Sequence, residues 1–360
     1  MDIKELSLEE KIGQLFIVGR KSEKTDDIYK MIDDCKVGSI ILYKKNYANY
    51  KEMVEFVNSI KKANSKKKVP LFFSIDQEGG RVNRMPSEIL NIPSATKLAR
   101  TEDLEIVKKS GKIIGKMLKE TGINMNYGPI LDIRRFKENH PIGDRCFGET
   151  NSEVEKYAIP VLEEMKNENV LSVVKHFPGH GLTKKDSHFQ FPKITEKIEK
   201  VEKEDMNVFK SAIDNGADAI MIGHLMLKEV DSKYPASISK KIIQKYLIDK
   251  YNFKGLIITD DLKMWAIRIH FNIKKAALRA IEAGNDMVMM GFSYRTTKKI
   301  IKYIIKQVKK GKISEERINR SVEKILSMKE KYNANNELVE GLNIEEFNNQ
   351  IKNIREKVMK

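Results

Sequence analysis

Gly216-Ala217-Asp218-Ala219-Ile220-Met221-Ile222-Gly223 and Gly284-Asn285-Asp286-Met287-Val288-Met289-Met290-Gly291 are nearly the same phrase written twice. Each leading glycine follows an apolar helical stretch, where a left-handed residue is wanted to end the helix. Each is followed by a run apolar enough to be a strand covered on both faces. Six further short apolar runs can be found outward from these two: Gln14 to Gly19, Val37 to Leu42, Pro70 to Ile75, Ile123 to Ile133, Leu171 to Val174 and Gly255 to Ile258. Nearly every pair is separated by a stretch with helical periodicity. Before Gly216, for example, Ile198, Val201, Phe209, Ala212 and Ile213 fall largely on one helical face. Parallel strands need helical crossovers, so eight strands alternating with helices predict an α/β fold, a single (β/α)8 TIM-type barrel. An open doubly wound sheet would carry a Gly-rich phosphate loop after its first strand, and Gly19-Arg20-Lys21-Ser22 is not one.

The chain begins with a capping box, Ser7-Leu8-Glu9-Glu10. Past the last strand, residues 295–332 read as two amphipathic helices. From about Asn333 the sequence is highly charged but keeps Leu338, Val339, Leu342, Ile344, Phe347, Ile351, Ile354 and Val358 at helical spacing. That is expected to be a surface helix or a partner-docking tail. The organisation read from the sequence is a catalytic barrel with extra C-terminal helices over residues 1–332 and a charged helical tail over 333–360, with no linker.

At 360 residues, 41% hydrophobic and 33% charged, the chain is built like a soluble, foldable protein. Its net charge of +16 comes from lysines spread over polar helix faces, as in Lys66-Lys67-Lys68. No aromatic residues interleave with them to suggest base stacking, so a nucleic-acid partner is not expected. Cys35 and Cys146 fit neither disulfide nor metal spacing. No signal-peptide core and no apolar run near the roughly 20 residues of a membrane span is present. A cytoplasmic monomer, off the membrane, is the expectation.

In a barrel the active site lies at the C-terminal ends of the strands. The third run ends in Asp76-Gln77-Glu78-Gly79-Gly80-Arg81-Val82-Asn83-Arg84, and the fourth near Asp132, ahead of a loop with Gly143-Asp144-Arg145-Cys146. The fifth ends in Lys175-His176-Phe177-Pro178-Gly179-His180-Gly181-Leu182-Thr183-Lys184-Lys185-Asp186-Ser187-His188, the sixth in His224, the seventh in Asp260-Asp261. Five polar strand ends predict a polar pocket. No phosphate cradle or nucleophile elbow is present. Carboxylates that accept and cations that donate suit the hydroxyls of a sugar. Sugar hydrolysis normally asks for two acidic groups.

Asp76-Gln77-Glu78-Gly79-Gly80-Arg81-Val82, Lys175-His176-Phe177-Pro178-Gly179-His180-Gly181, Asp186-Ser187-His188 and Thr259-Asp260-Asp261-Leu262-Lys263-Met264 resemble the signatures of glycoside hydrolase family 3. More narrowly they resemble its bacterial β-N-acetylhexosaminidase branch, which Pro235-Ala236-Ser237-Ile238-Ser239 and Phe253-Lys254-Gly255 also match. The similarity runs from about Leu8 to Met328. It implies a retaining exo-β-N-acetylglucosaminidase that needs no cofactor or metal and acts on small carbohydrates such as muropeptide fragments. Asp260 would be the nucleophile, and His188, oriented by Asp186, the general acid/base. Asp76, Arg84, Arg145, Lys175 and His176 would hold the sugar hydroxyls, with His224 and Met264 close to the ring. His188 fits the proton role chemically, since an imidazole titrates near neutrality.

Alternatives of the same family are a phosphorylase, because phosphate is less repelled by histidine than by glutamate, and a β-glucosidase. More remote are a metal-dependent barrel hydrolase using His176, His224 and Asp260, and a non-catalytic sugar-binding module. Glu78 is expected to be held in the barrel interior. Asp261 is read as a helix N-cap and His180 as loop packing. Trp265 is open to sugar stacking or core packing, and His140 and His270 receive no role. Departures from the family's usual pattern are His140 for asparagine, Leu182 for aspartate and Cys146 for serine.

Overall fold

Phe16–Val18 (β1), Ser39–Ile41 (β2), Phe72–Ile75 (β3), Met125–Asn126 (β4), Leu171–Phe177 (β5), Ala219–Ile222 (β6), Leu256–Thr259 (β7) and Val288–Met290 (β8) stand side by side in the computed structural model, all parallel. The structure describes residues 2–19, 25–135, 142–183 and 191–359. β1 pairs with β8, Phe16 opposite Val288 and Val18 opposite Met290. A parallel bridge between Ile258 and Met287 joins β7 to β8, so the ring closes. The eight strands fall where the eight apolar runs predict them. Their residues are buried throughout, because side chains inside the ring and beneath the outer helices are both cut off from water.

Two strands differ from the expectation. The fourth run is a strand only at Met125–Asn126, since Pro129, with no N–H to give, interrupts the ladder. The chain rejoins the sheet at Ile130, which bridges Lys175, and Leu131 N–H reaches Lys175 O at 2.7 Å. The fifth strand runs on past Val174 to Phe177. Its register against β6 shifts between Val174 and Phe177, and the Lys175–His176 peptide is cis. Lys175 and His176 therefore belong to the wall of the barrel rather than to the loop above it.

The repeated phrase has the same geometry in both copies. Gly216 and Gly284 take φ of +79° and +119°. Ala217 N–H bonds back to Ala212 O at 2.9 Å and Asn285 N–H to Ala280 O at 3.1 Å, the 6→1 closure of a Schellman turn. The aspartates that follow tie down a later helix, Glu315–Lys331. Asp218 accepts from Lys331 Nζ (2.6 Å) and Tyr332 OH (2.6 Å), while Asp286 accepts from Ser321 Oγ (2.7 Å) and Lys324 Nζ (3.1 Å). That helix lies across the foot of the barrel. Near its end Lys329, buried, donates to Gln14 Oε1 (2.7 Å), Gly38 O (2.9 Å) and Pro70 O (2.7 Å).

The two predicted C-terminal helices are Tyr294–Lys309 and Glu315–Lys331. The charged segment after them stays on its own barrel. Lys61 Nζ holds Glu337 O at 2.7 Å, Asn58 brackets Val339, and Tyr50 OH accepts from Leu342 N at 2.8 Å. Helix Ile344–Met359 then buries Phe347, Ile351 and Ile354, and packs beside helix Leu104–Glu120. Leu338 remains half exposed. The capping box at Ser7 forms as predicted, with Ser7 Oγ accepting from Glu10 N and Glu10 Oε2 from Ser7 N. Among the described residues no helix is long and apolar enough to cross a membrane.

Candidate active site

Beneath the barrel mouth the ends of β3 and β5 build a cluster of alternating charge. Lys175 Nζ, on β5, lies 2.8 Å from Asp76 Oδ1 and 2.6 Å from Glu78 Oε1. Arg145, on the short turn Gly143–Arg145, closes on Glu78 with two bonds of 2.7 Å each. Burial pushes Glu78 towards its neutral form, but Lys175 and Arg145 outweigh it and bring its pKa down to about 2. Lys175 loses some basicity to burial and regains more from Asp76 and Glu78, so it too stays charged. Glu78 is thus ionised and fully engaged, in the interior as expected, and has no proton to offer a leaving group.

His176 points the other way along the wall. Its Nδ1 sits 2.6 Å from Asp132 Oδ2, and since a carboxylate only accepts, Nδ1 carries the hydrogen. Burial would raise Asp132's pKa, yet His176, His180 and the His180 amide hold it well below the usual range. Asp132 Oδ1 accepts that amide at 2.8 Å. His180 packs its ring edge-on to His176, centroids 5.3 Å apart, in keeping with a packing role. Sequence reasoning noted Asp132 only as a strand end. Its partnership depends on β4–β5 register, which no local pattern displays.

On the far side β6 and β7 present His224 and Asp260. His224 Nε2 faces Asp261 O at 3.0 Å and its Nδ1 faces Ser237 Oγ at 2.7 Å. A carbonyl can only accept, so Nε2 donates, and Nδ1 shares a hydrogen bond with the Ser237 hydroxyl. Both His224 nitrogens are engaged by protein groups, and among the described residues no three His, Cys, Asp or Glu side chains, the set His176, His224 and Asp260 included, are placed to hold a metal ion.

Asp260 is half-buried at the rim. Its Oδ1 accepts the Asp261 N–H at 2.7 Å. Among the described residues its other oxygen has no hydrogen-bond partner. Burial raises its pKa, but His224, His176, the Asp261 amide and Lys175 together bring it below the ordinary value. Asp260 is therefore a carboxylate anion, one of whose oxygens is hydrogen-bonded to no group among the described residues.

Asp261 corrects an expectation. It does not cap a helix, because the next helix is Trp265–His270 and begins after Met264. Its Oδ1 instead accepts Lys263 N (2.9 Å) and Gly291 N (3.0 Å), tying the end of β7 to the end of β8. A side chain at Gly291 would bring its Cβ within 2.7 Å of Asp261 Oδ2. Met264 donates its N–H to Asp261 O at 2.9 Å. Trp265 is 41% exposed, so it is not a core residue.

Arg84 is fixed through its backbone, donating to Gln77 Oε1 (2.8 Å) and accepting from Tyr47 OH (3.1 Å). Its guanidinium has no hydrogen bond or ion pair among the described residues. Two buried tyrosines, Tyr43 and Tyr127, complete the surroundings. Burial, then the carboxylates Asp261 and Asp76 around them, holds both phenols protonated. They were missed because an aromatic residue just past an apolar strand reads first as core. Asp186 and His188 lie outside the described residues, as does His140.

Residues 7–328 match the family described as glycosyl hydrolase family 3, N-terminal domain. The β-hexosaminidase of Methylobacillus flagellatus is 31% identical over 282 residues, 77% of this chain and 79% of that protein. The β-hexosaminidase of Photobacterium profundum is 34% identical over 263 residues, 72% of this chain and 76% of that one. Among solved structures, a family 3 β-N-acetylglucosaminidase from Paenibacillus superposes with a TM-score of 0.91 at 32% identity, covering 98% of this chain and 69% of its own.

Proposed function

The chain belongs to glycosyl hydrolase family 3 and is a glycoside hydrolase, and from that premise we propose that it is a retaining exo-β-N-acetylglucosaminidase acting on cell-wall-derived glycosides. The observation that carries the reading is Asp260. It is ionised at the barrel mouth with one oxygen free among the described residues, while Asp76 and Glu78 are paired with Lys175, Asp132 is paired with His176, and Asp261 is held by backbone amides. The names of the relatives, β-hexosaminidases and a β-N-acetylglucosaminidase, support the choice of sugar.

Asp260 attacks the anomeric carbon as the bond to the leaving oxygen breaks. His188, held as imidazolium by Asp186, gives that oxygen its proton. The neutral imidazole then takes a proton from water, which attacks the same carbon and releases Asp260, so two inversions give net retention. Asp76, Lys175, Arg145, His176 and the Arg84 guanidinium hold the sugar's hydroxyls, Glu78 fixing Lys175 and Arg145 from behind, with His224 and Met264 beside the sugar. A histidine acid avoids placing a second carboxylate against Asp260, where like charges would strongly raise one of the two pKa values.

A panel of chromogenic β-N-acetylglucosaminide, β-N-acetylgalactosaminide and β-glucoside, with and without phosphate, tests the reading. Preferential hydrolysis of the first is expected. Turnover that requires phosphate, or preference for the glucoside, overturns it. Asp260→Ala should lower turnover by roughly 10³-fold or more. His188→Ala should slow substrates with poor leaving groups far more than activated aryl ones, and an equal loss on both argues against the acid role.

A further inference from the structure

At the foot of the barrel, opposite Asp260, a cavity of about 690 Å³ opens between helix Ile273–Ala283, the turn into β7 and one face of helix Glu315–Lys331. Seven cationic side chains line it against two carboxylates, Glu282 and Asp286. Asp286 is already engaged by Ile257 N (3.1 Å), Ser321 Oγ (2.7 Å) and Lys324 Nζ (3.1 Å), and Glu282 is exposed. The cluster is not a by-product of a lysine-rich surface, because three of the chain's 13 arginines, Arg279, Arg317 and Arg320, are in it.

Arg317, Arg320 and Lys324 follow one another at helical spacing, so their cationic groups share a face and repel. Among the described residues Arg317 donates only to neutral partners, Ser321 Oγ at 2.6 Å and Asn285 O at 2.8 Å. Burial, joined by Arg320 and opposed by Asp286, pulls its guanidinium below the ordinary range. Arg320, Lys254 and Lys312 form no ion pair among the described residues. A concave surface that gathers seven cationic groups against two carboxylates, one of them already engaged, is stabilised by an anion. The volume is that of a small-molecule site, and forked guanidiniums match phosphate oxygens in pairs.

We propose that this cavity binds a small organic phosphate carrying two or more negative charges, held chiefly by Arg317, Arg320 and Lys324. Calorimetry on the full chain with inorganic phosphate, pyrophosphate and ATP, each at matched ionic strength, tests it. Saturable binding is expected, tightest for ATP, with Arg320→Gln weakening it about tenfold or more. Lys62→Gln/Lys66→Gln, on a different face, should leave binding unchanged. Arg320→Gln should also keep wild-type turnover of an aryl glycoside, which shows that it is folded; because Arg320 forms no hydrogen bond or ion pair among the described residues, it serves where Arg317→Gln fails to fold. No saturable heat from any of the three at millimolar concentration overturns the proposal. So does binding weakened equally by the Lys62/Lys66 variant, which would mark adventitious attraction to net charge.

Discussion

Glu78 shows how a residue's partners decide its chemistry. A glutamate at a strand end invites an acid role, but Lys175 at 2.6 Å and Arg145 at 2.7 Å keep it charged. Its pKa is depressed from 4.5 to about 2. A depressed carboxylate contributes stability in full above about pH 4.5, and loses it as pH falls towards 2, an effect of about 3 kcal/mol. Glu78→Gln should therefore lower stability at neutral pH by about 3 kcal/mol and flatten the acid limb in that window. Chemical denaturation from pH 2 to 7 checks this. A variant as stable as wild type, with the same acid limb, would show that the pair contributes nothing. The charged residues at the strand ends were readable from the sequence one by one. Their pairing was not, because Glu78, Arg145 and Lys175 come from three separate segments and meet only once the ring has closed.

The element most legible in the sequence was the repeated junction of glycine, aspartate and apolar strand. Its glycines announce a left-handed turn, and both copies make one. The aspartates read as turn residues, and only the fold reveals that Asp218 and Asp286 hold helix Glu315–Lys331. Strand ends were less legible. β4 is cut short by Pro129, a local signal the long apolar run conceals, whereas β5 is extended through a register shift that follows from its neighbours rather than local propensity. The junction supports a comparison between two glycines of the same backbone hand. Gly284 has φ +119° and a Cβ there would lie 3.0 Å from Ile243 Cγ2, whereas Gly311 has φ +69° with nothing within 4 Å. Gly311→Ala should cost about 1 kcal/mol, and Gly284→Ala about 1–2 kcal/mol more. Equal midpoints in urea for the two variants would mean that packing at Ile243 yields freely.

On the scale of the whole molecule, Lys329 is the point where the last barrel helix meets the first three strands. Burial alone pulls its pKa down to about 7 from 10.5. Its three acceptors, Gln14, Gly38 and Pro70, oppose that pull. An ammonium has a hydrogen for each, and a neutral amine has only two. If burial prevailed, the unfolded chain would bind the extra proton between pH 7 and 10.5, and wild-type stability would climb through that window relative to Lys329→Met. We expect the two proteins instead to run parallel across it, with Lys329→Met lower by about 3 kcal/mol for its orphaned acceptors. Thermal melts at several pH values decide between them. The same lysine also sets a clock. Gln14 and Lys329 are 315 residues apart. At the ribosome's pace of ~5–20 residues per second, the first strand waits roughly 15–60 s for the side chain that plugs its end. Until then the nascent barrel has an unfinished base, and its assembly is completed from the C-terminal side.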